Sequence, residues 1–251
     1  MPGDPVDQAD LADKLARLGE LEQRFQQALE QEKLAALAEF AAGAGHEINN
    51  PLTVITGRAQ LLLKEESDPE RRRSLGLIYA QAMRVHEMIA DLRLFARPSV
   101  PQSKPVDIVA LADRVVAAAA TAADAQPVVI WRTGDPGPLV IAADGEQLLV
   151  ALKALLSNAL EVLAPGGQIT LDVRGLEDRV CLQCRDNGPG LTPDERRHLF
   201  DPFYSARQAG RGLGLGLSKC WRIITLHGGQ IDVDSQPGQG ATFTITLPRH
   251  Q

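Results

Sequence analysis

Apolar residues recur at heptad spacing along two stretches of this sequence, and such stripes admit few folds other than packed helices. In the first stretch Leu34, Ala41, Ile48, Ile55 and Leu62 are spaced by sevens, with Leu37 and Ala44 at interleaved positions. Ser67-Asp68-Pro69 then breaks the pattern, offering an N-cap and a proline for the first helical position. In the second stretch Leu75, Ile78, Ala82, Val85, Ile89, Leu92 and Phe95 form a three-four stripe that ends at Arg97-Pro98. The spacing predicts two helices in a hairpin. Two helices make a thin core, and both stripes stay exposed unless another pair covers them. The simplest solution is a four-helix bundle made by two chains, a homodimer.

Residues 6–33 read as a charged helix in which Leu11, Leu15, Leu18, Phe25 and Leu29 fall near heptad positions. Glu22 and Glu32 interrupt them, so the segment is either a coiled-coil lead-in or a solvated helix packed on its own chain. No run reaches the ~20 apolar residues of a membrane span, and the opening MPGDPVDQAD carries no signal-peptide core. A formal net charge of −6 with 4% aromatics argues against a nucleic-acid surface. Three cysteines make no disulfide framework, which points to a reducing cytoplasm. Cys181 and Cys184 form a CxxC inside an alternating, strand-like run, and a period of two places them on opposite faces.

Residues 99–106, within the proline-rich run PSVPQSKPV, read as a linker. Beyond it the pattern changes. A helix is expected from Asp107 to about Ala123, strands at Val128–Trp131 and Leu139–Ala143, and a long helix over Glu146–Leu163. Strands follow at Ile169–Arg174 and Val180–Arg185, then a short helix from Thr192-Pro193 and a helix over Leu217–Leu226. A hairpin of Ile231–Asp234 with Thr242–Leu247 ends the pattern. This order suggests a two-layer α/β sandwich.

His46 lies two residues before Ile48, about 200° around the helix, so it points away from the seam. Glu47 is its neighbour and Asn50 lies one turn on, on the same face. Pro51 within the helical pattern removes a backbone hydrogen bond and suggests a bend or local loosening beside the histidine. The run GHEINNPLTVI resembles the phosphoacceptor box of sensor histidine kinases of two-component systems. A neutral imidazole is a nucleophile near pH 7, and an adjacent carboxylate can take the ring proton. The resemblance implies that His46 is phosphorylated, that Glu47 is its acid/base partner, and that Asn50 helps place a water in a phosphatase reaction.

Four further boxes follow in the order of the same family. Each taken alone reads equally as an ordinary loop or helix face. LLSNALEVL carries Asn158, whose amide oxygen is a hard ligand suited to Mg²⁺. Asp186-Asn187-Gly188-Pro189-Gly190 leaves a strand, placing a carboxylate where it can accept from the adenine amine while Gly188 and Gly190 let the backbone turn. Leu199-Phe200-Asp201-Pro202-Phe203-Tyr204 is expected to anchor a lid, with Arg207 in reach of a phosphate. Gly210, Gly212, Gly214 and Gly216 then lead into a helix, an anion cradle joined to a positive helix end.

Together with the ending HGGQIDVDSQPGQGATFTITLP, these boxes resemble the ATP-binding domain of histidine kinases, over about residues 36–250. The resemblance implies the GHKL (Bergerat) fold shared with gyrase, mismatch-repair and heat-shock chaperone ATPases. It implies a nucleotide site of Asn158, Asp186, Gly188, Gly190, Phe203, Arg207, Gly212, Gly214 and Gly216, with ATP and Mg²⁺ as cofactors and Asn158 as metal ligand. The expected organisation is a signalling helix over 1–35, a dimerisation and phosphotransfer hairpin over 36–98, a linker over 99–106 and an ATP-binding domain over 107–251. No receiver-like stretch is present, so the phosphoryl group is expected to pass to the receiver domain of a separate response regulator. Three positions depart from the family pattern. Ala154 stands where many members have a second asparagine, Glu161 where many have a basic residue, and Leu213 replaces a threonine. Rival readings are a nucleotide-binding scaffold without turnover, and an ATPase or serine kinase on the same fold.

Overall fold

The computed structural model describes residues 5–122, 127–205 and 214–249. The chain divides into two compact units, Met1–Arg97 and Pro98–Gln251.

The first unit is a helical hairpin of α1 (Pro5–Glu65) and α2 (Pro69–Ala96). The lead-in over residues 6–33 continues into the hairpin helix as the sequence leads one to expect, since nothing between residues 30 and 40 breaks a helix. Pro51 lies inside α1 without ending it. Just beyond it, Thr53 and Thr56 donate back to the carbonyls of Asn49 and Leu52 at 2.8 and 2.9 Å. The turn between the helices satisfies its own polar groups. Asp68 caps α2 by accepting from the Arg71 amide at 2.9 Å, and the Arg72 guanidinium donates to the Leu63 and Glu66 carbonyls at the end of α1.

The seam within one chain is narrower than the heptad pattern implies. Ala41, Gly45, Leu52 and Ala59 are buried on α1, with Ala82, Ile89, Leu92 and Phe95 on α2. Ile48 is only half-buried, and Ile55 and Leu62 remain 42% and 54% exposed. On α2, Ile78 and Val85 are exposed as well. Ile55 and Leu62 stand about 60° around the helix from Leu52 and Ala59, outside the strip a single neighbouring helix can cover.

The second unit begins with β1 (Lys104–Asp107), inside the stretch expected as linker. It pairs antiparallel with β3 (Val140–Ala143), Pro105 opposite Ala142. Proline is tolerated there because the two-stranded sheet leaves edges free. Asp107 then starts α3 (Ile108–Ala122), its carboxylate accepting from the Val109 and Leu139 amides.

The main sheet has the order β2-β4-β5-β7-β6, formed by β2 (Val129–Gly134), β4 (Gln168–Gly175), β5 (Arg179–Asp186), β6 (Gln230–Ser235) and β7 (Ala241–Pro248). The pair β2–β4 is parallel and the others antiparallel. Its buried face carries Ile169, Leu171, Val180, Leu182, Phe243 and Ile245. The helices α3, α4 (Gly145–Val162) and α6 (Gly216–Leu226) contribute the facing layer through Leu111, Leu155 and Ile223 among others. The short α5 (Pro193–His198) is closed by a capping box of Thr192 and Glu195. Along β5 the alternation puts Cys184 on the buried face and Cys181 on the other, and Cys181, Cys184 and Cys220 are free thiols. Burial pushes Cys184 and Cys220 up to about 12, which leaves them inert as nucleophiles.

Candidate functional site

In the hairpin, Gly45 is buried while its neighbours His46 and Glu47 are exposed, as is Asn50 one turn on. A residue step of about 100° is enough to carry His46 from the seam to solvent. Thr53 continues the His46 face two turns along. There a groove lined by Leu52, Thr53, Thr56, Met83 and His86 runs between α1 and α2.

In the second unit α4 and the loop after β5 build the other candidate site. Asp144 caps α4, its carboxylate accepting from the Glu146 and Gln147 amides at 3.1 Å each and from Gln102 N–H at 2.9 Å. Further along, Asn158 is half-buried. Asp186 closes β5 on its buried face, after Val180, Leu182 and Cys184, and is 4% exposed. Its Oδ1 accepts from the Gly188 amide at 2.8 Å. Burial pushes the Asp186 carboxyl above the ordinary carboxylate range, partly offset by backbone N–H bonds from Gly188 and Ala241. Gly188 lies against Val162, four residues beyond Asn158, so the loop packs on the end of α4. Gly190 has φ +70°, and an added Cβ would run into the Gln236 carbonyl, so a side chain is excluded there.

The segment expected as a lid starts at a fixed base. Phe203 adopts φ +66°, rare for a bulky residue, and its N–H donates to the Gly214 carbonyl at 3.2 Å. Its ring is 51% exposed, so the anchoring here is by backbone rather than by the aromatic side chain. Beside it His198 Nδ1 lies 2.7 Å from Asp201 Oδ2 and the His198 ring 5.5 Å from that of Tyr204. Arg207 and Gly212 lie outside the described residues. Gly214 is half-buried, and Gly216 opens α6, whose N-cap Leu215 makes no side-chain capping bond. The first amides of α6 are therefore left for backbone, water or an anion.

Some contributors have no motif to announce them. Ser235 Oγ donates to the Gly240 carbonyl at 2.7 Å and accepts from the Leu191 amide at 2.9 Å, holding the Asp186 loop from the final hairpin. Asn187, inside the box, accepts from the Gln168 amide at 2.8 Å and so ties the loop to β4. Lys219 is 7% exposed in the first turn of α6, a helix whose other charged residue is Arg222.

Residues 143–251 match the family described as histidine kinase-, DNA gyrase B- and HSP90-like ATPase. Residues 36–99 match the His Kinase A (phospho-acceptor) domain. The chain is 36% identical over 230 residues to the signal transduction histidine-protein kinase AtoS of Escherichia coli (strain K12), across 91% of this chain and 37% of that protein. It is 33% identical over 219 residues to the sensor histidine kinase ZraS of Klebsiella oxytoca, across 86% of this chain and 47% of that protein. The chain thus spans about half, or less, of the length of these relatives. Among solved structures, full-length ShkA in complex with AMPPNP is similar at a TM-score of 0.72 and 28% identity, over 84% of this chain and 45% of that one. The complex of histidine kinase ThkA with the response regulator protein TrrA shares the fold at a TM-score of 0.63 and 24% identity, over 92% of this chain and 67% of that one. No described helix is long and apolar enough to cross a membrane.

Proposed function

The chain belongs to the sensor histidine kinases, carrying their phospho-acceptor and ATPase domains, and on that footing we propose that it transfers the γ-phosphoryl group of ATP to His46. Asp186 accepts from the adenine amine, and Gly188 and Gly190 bring the backbone close to the ring. The amides at the start of α6, with Gly212, Gly214 and Arg207, hold the phosphates. Asn158 offers an amide oxygen to Mg²⁺, which when bound offsets phosphate charge. A nitrogen of His46 forms the bond to phosphorus as the bond from the β–γ bridging oxygen breaks and ADP leaves. Glu47 takes the ring proton.

The phosphohistidine then donates to an aspartate of a response regulator receiver domain. The groove of Leu52, Thr53, Thr56, Met83 and His86 gives such a partner a surface on the His46 side. Asn50 holds the water that hydrolyses the regulator's phosphoaspartate. The uncovered Ile55, Leu62, Ile78 and Val85 support a homodimer through the hairpin.

The observation that carries this reading is the exposure of His46, Glu47 and Asn50 together on α1, beside a seam that buries Gly45 and Leu52. The test is incubation with γ-labelled ATP and mapping of the label. Acid-labile, base-stable phosphate at His46, absent from His46→Ala although that variant still binds ATP, is expected. Nucleotide binding with no label would leave a scaffold. Label on a serine, or hydrolysis without label, would assign a different enzyme.

A further inference from the structure

We propose that Arg93 holds the phosphoryl group that His46 receives, a catalytic residue contributed by α2. This deepens the kinase reading and rests on it. A Cβ added to Gly45 would meet Ile89 Cγ2 at 3.2 Å and Arg93 Cδ at 3.7 Å. The Arg93 side chain therefore lies across α1 at the residue just before the phosphoacceptor. The flank it follows is the one that carries His46. The groove between α1 and α2 opens at Thr53 and His86. His46 stands seven residues before Thr53, and Arg93 seven residues after His86. Seven residues return a helix to within about 20° of the same face. In the antiparallel hairpin both steps run the same way, so the groove leads from Thr53 and His86 to His46 and Arg93. Arg93 is exposed, and among the described residues no ion pair holds it.

The chemistry of the phosphorylated state calls for such a group. Arg207 and the α6 amides belong to the second unit and hold the nucleotide. Once ADP has left, the group on His46 depends on the side chains of the hairpin. A phosphoryl group carries up to about two negative charges near neutral pH, and the neighbouring Glu47 carboxylate repels it. A guanidinium presents a planar fork that matches two phosphoryl oxygens, and such charge-assisted bonds are stronger than neutral ones. Arg93 donates N–H bonds to two non-bridging oxygens while the nitrogen–phosphorus bond forms and the bond from the β–γ bridging oxygen breaks. It gains and loses no proton.

The experiment brings the full chain to equilibrium with known amounts of ATP and ADP and measures the phosphohistidine formed, for wild type, Arg93→Gln and Arg93→Lys. Phosphorus NMR then follows the phosphoryl resonance of each against pH. Arg93→Gln is expected to lower the equilibrium constant for phosphorylation about tenfold or more, the scale of one hydrogen bond to a charged group. It is also expected to raise the pH midpoint of the resonance by about one unit, since the dianion loses its cation. Binding of a non-hydrolysable ATP analogue should stay as in wild type. Arg93→Lys keeps the charge but not the fork, so it holds the midpoint and loses part of the equilibrium constant. A merely structural role would move the thermal unfolding of the helices and leave the midpoint in place. An unchanged midpoint or an unchanged equilibrium constant in Arg93→Gln overturns the assignment and leaves the kinase reading intact. If circular dichroism shows that Arg93→Gln does not fold, Arg93→Lys decides, and an equilibrium constant equal to wild type overturns the assignment. Absence of phosphohistidine in wild type overturns the kinase reading and this proposal with it.

Discussion

Replacing Ile55 and Ile78 by serine together tests whether a second chain covers the hairpin. Both side chains are about half exposed in one chain, at 42% and 51%, so each has roughly half its surface left to bury. Full burial of such a chain is worth about 1.5–3 kcal/mol, so the part left to a partner is worth about 1 kcal/mol per residue. Two residues in each of two protomers bring the expected loss to about 4 kcal/mol, or roughly a thousandfold in dimer affinity. The fold of the single hairpin should survive, since its own seam uses Ala41, Leu52, Ala59, Ala82, Ile89 and Leu92 instead. Sedimentation equilibrium gives the dimer constant, and circular dichroism gives the helix content. A wild-type chain that is monomeric at micromolar concentration, or a double variant with an unchanged dimer constant, refutes the reasoning. Substituting Leu92 is the wrong probe, because that residue is 6% exposed within one chain and its loss unfolds the hairpin first.

Asp186→Asn should weaken nucleotide binding tenfold or more, the scale of one charged hydrogen bond, by calorimetry. Its folded pKa is raised by burial, so the carboxyl favours folding in acid and loses that contribution as pH rises through its folded value. The asparagine variant should therefore gain in Tm over wild type from acid toward neutral pH, and no such gain would refute the burial argument. Asp144→Ala should cost about 1–2 kcal/mol in urea unfolding at neutral pH through loss of the α4 cap. Burial alone would raise the Asp144 carboxyl, but the Gln102, Gln147 and Glu146 N–H bonds and the nearby His227 outweigh it and hold it low. That contribution is present above the unfolded pKa and fades as pH falls through the folded value, so the two chains should converge in strong acid. Asn50→Ala should keep most labelling from ATP and lose most dephosphorylation of a phosphorylated regulator, and Glu47→Ala should do nearly the reverse. Equal losses in both rates for Asn50→Ala would point to a structural role beside Pro51.

Much of the candidate site is legible in the sequence because its residues fall in short local boxes. The candidate residues His46-Glu47, Asn158, Asp186 and the glycine run each lie in a short segment that can be read without knowing what packs against it. The alternation along β5 similarly predicted the separation of Cys181 and Cys184, since a strand's period of two is fixed by backbone geometry.

Periodicity along one helix, by contrast, cannot say which neighbour covers which part of a wide apolar stripe. Ala41 and Ile55 occupy equivalent heptad positions, yet one is fully buried by α2 and the other is not. Residues 99–106 read as linker because proline disfavours strands, but pairing of Lys104–Asp107 with β3 depends on residues 33 or more positions away. The left-handed Phe203 and the Ser235 tie to the Asp186 loop are likewise set by partners farther along the chain, Gly214 and Leu191. The sequence alone determined the helices, most of the strands and the chemical groups, because these follow from local propensity and residue type. Tertiary structure decided burial, strain and the pKa of Asp186, because each is a property of what the rest of the chain brings alongside.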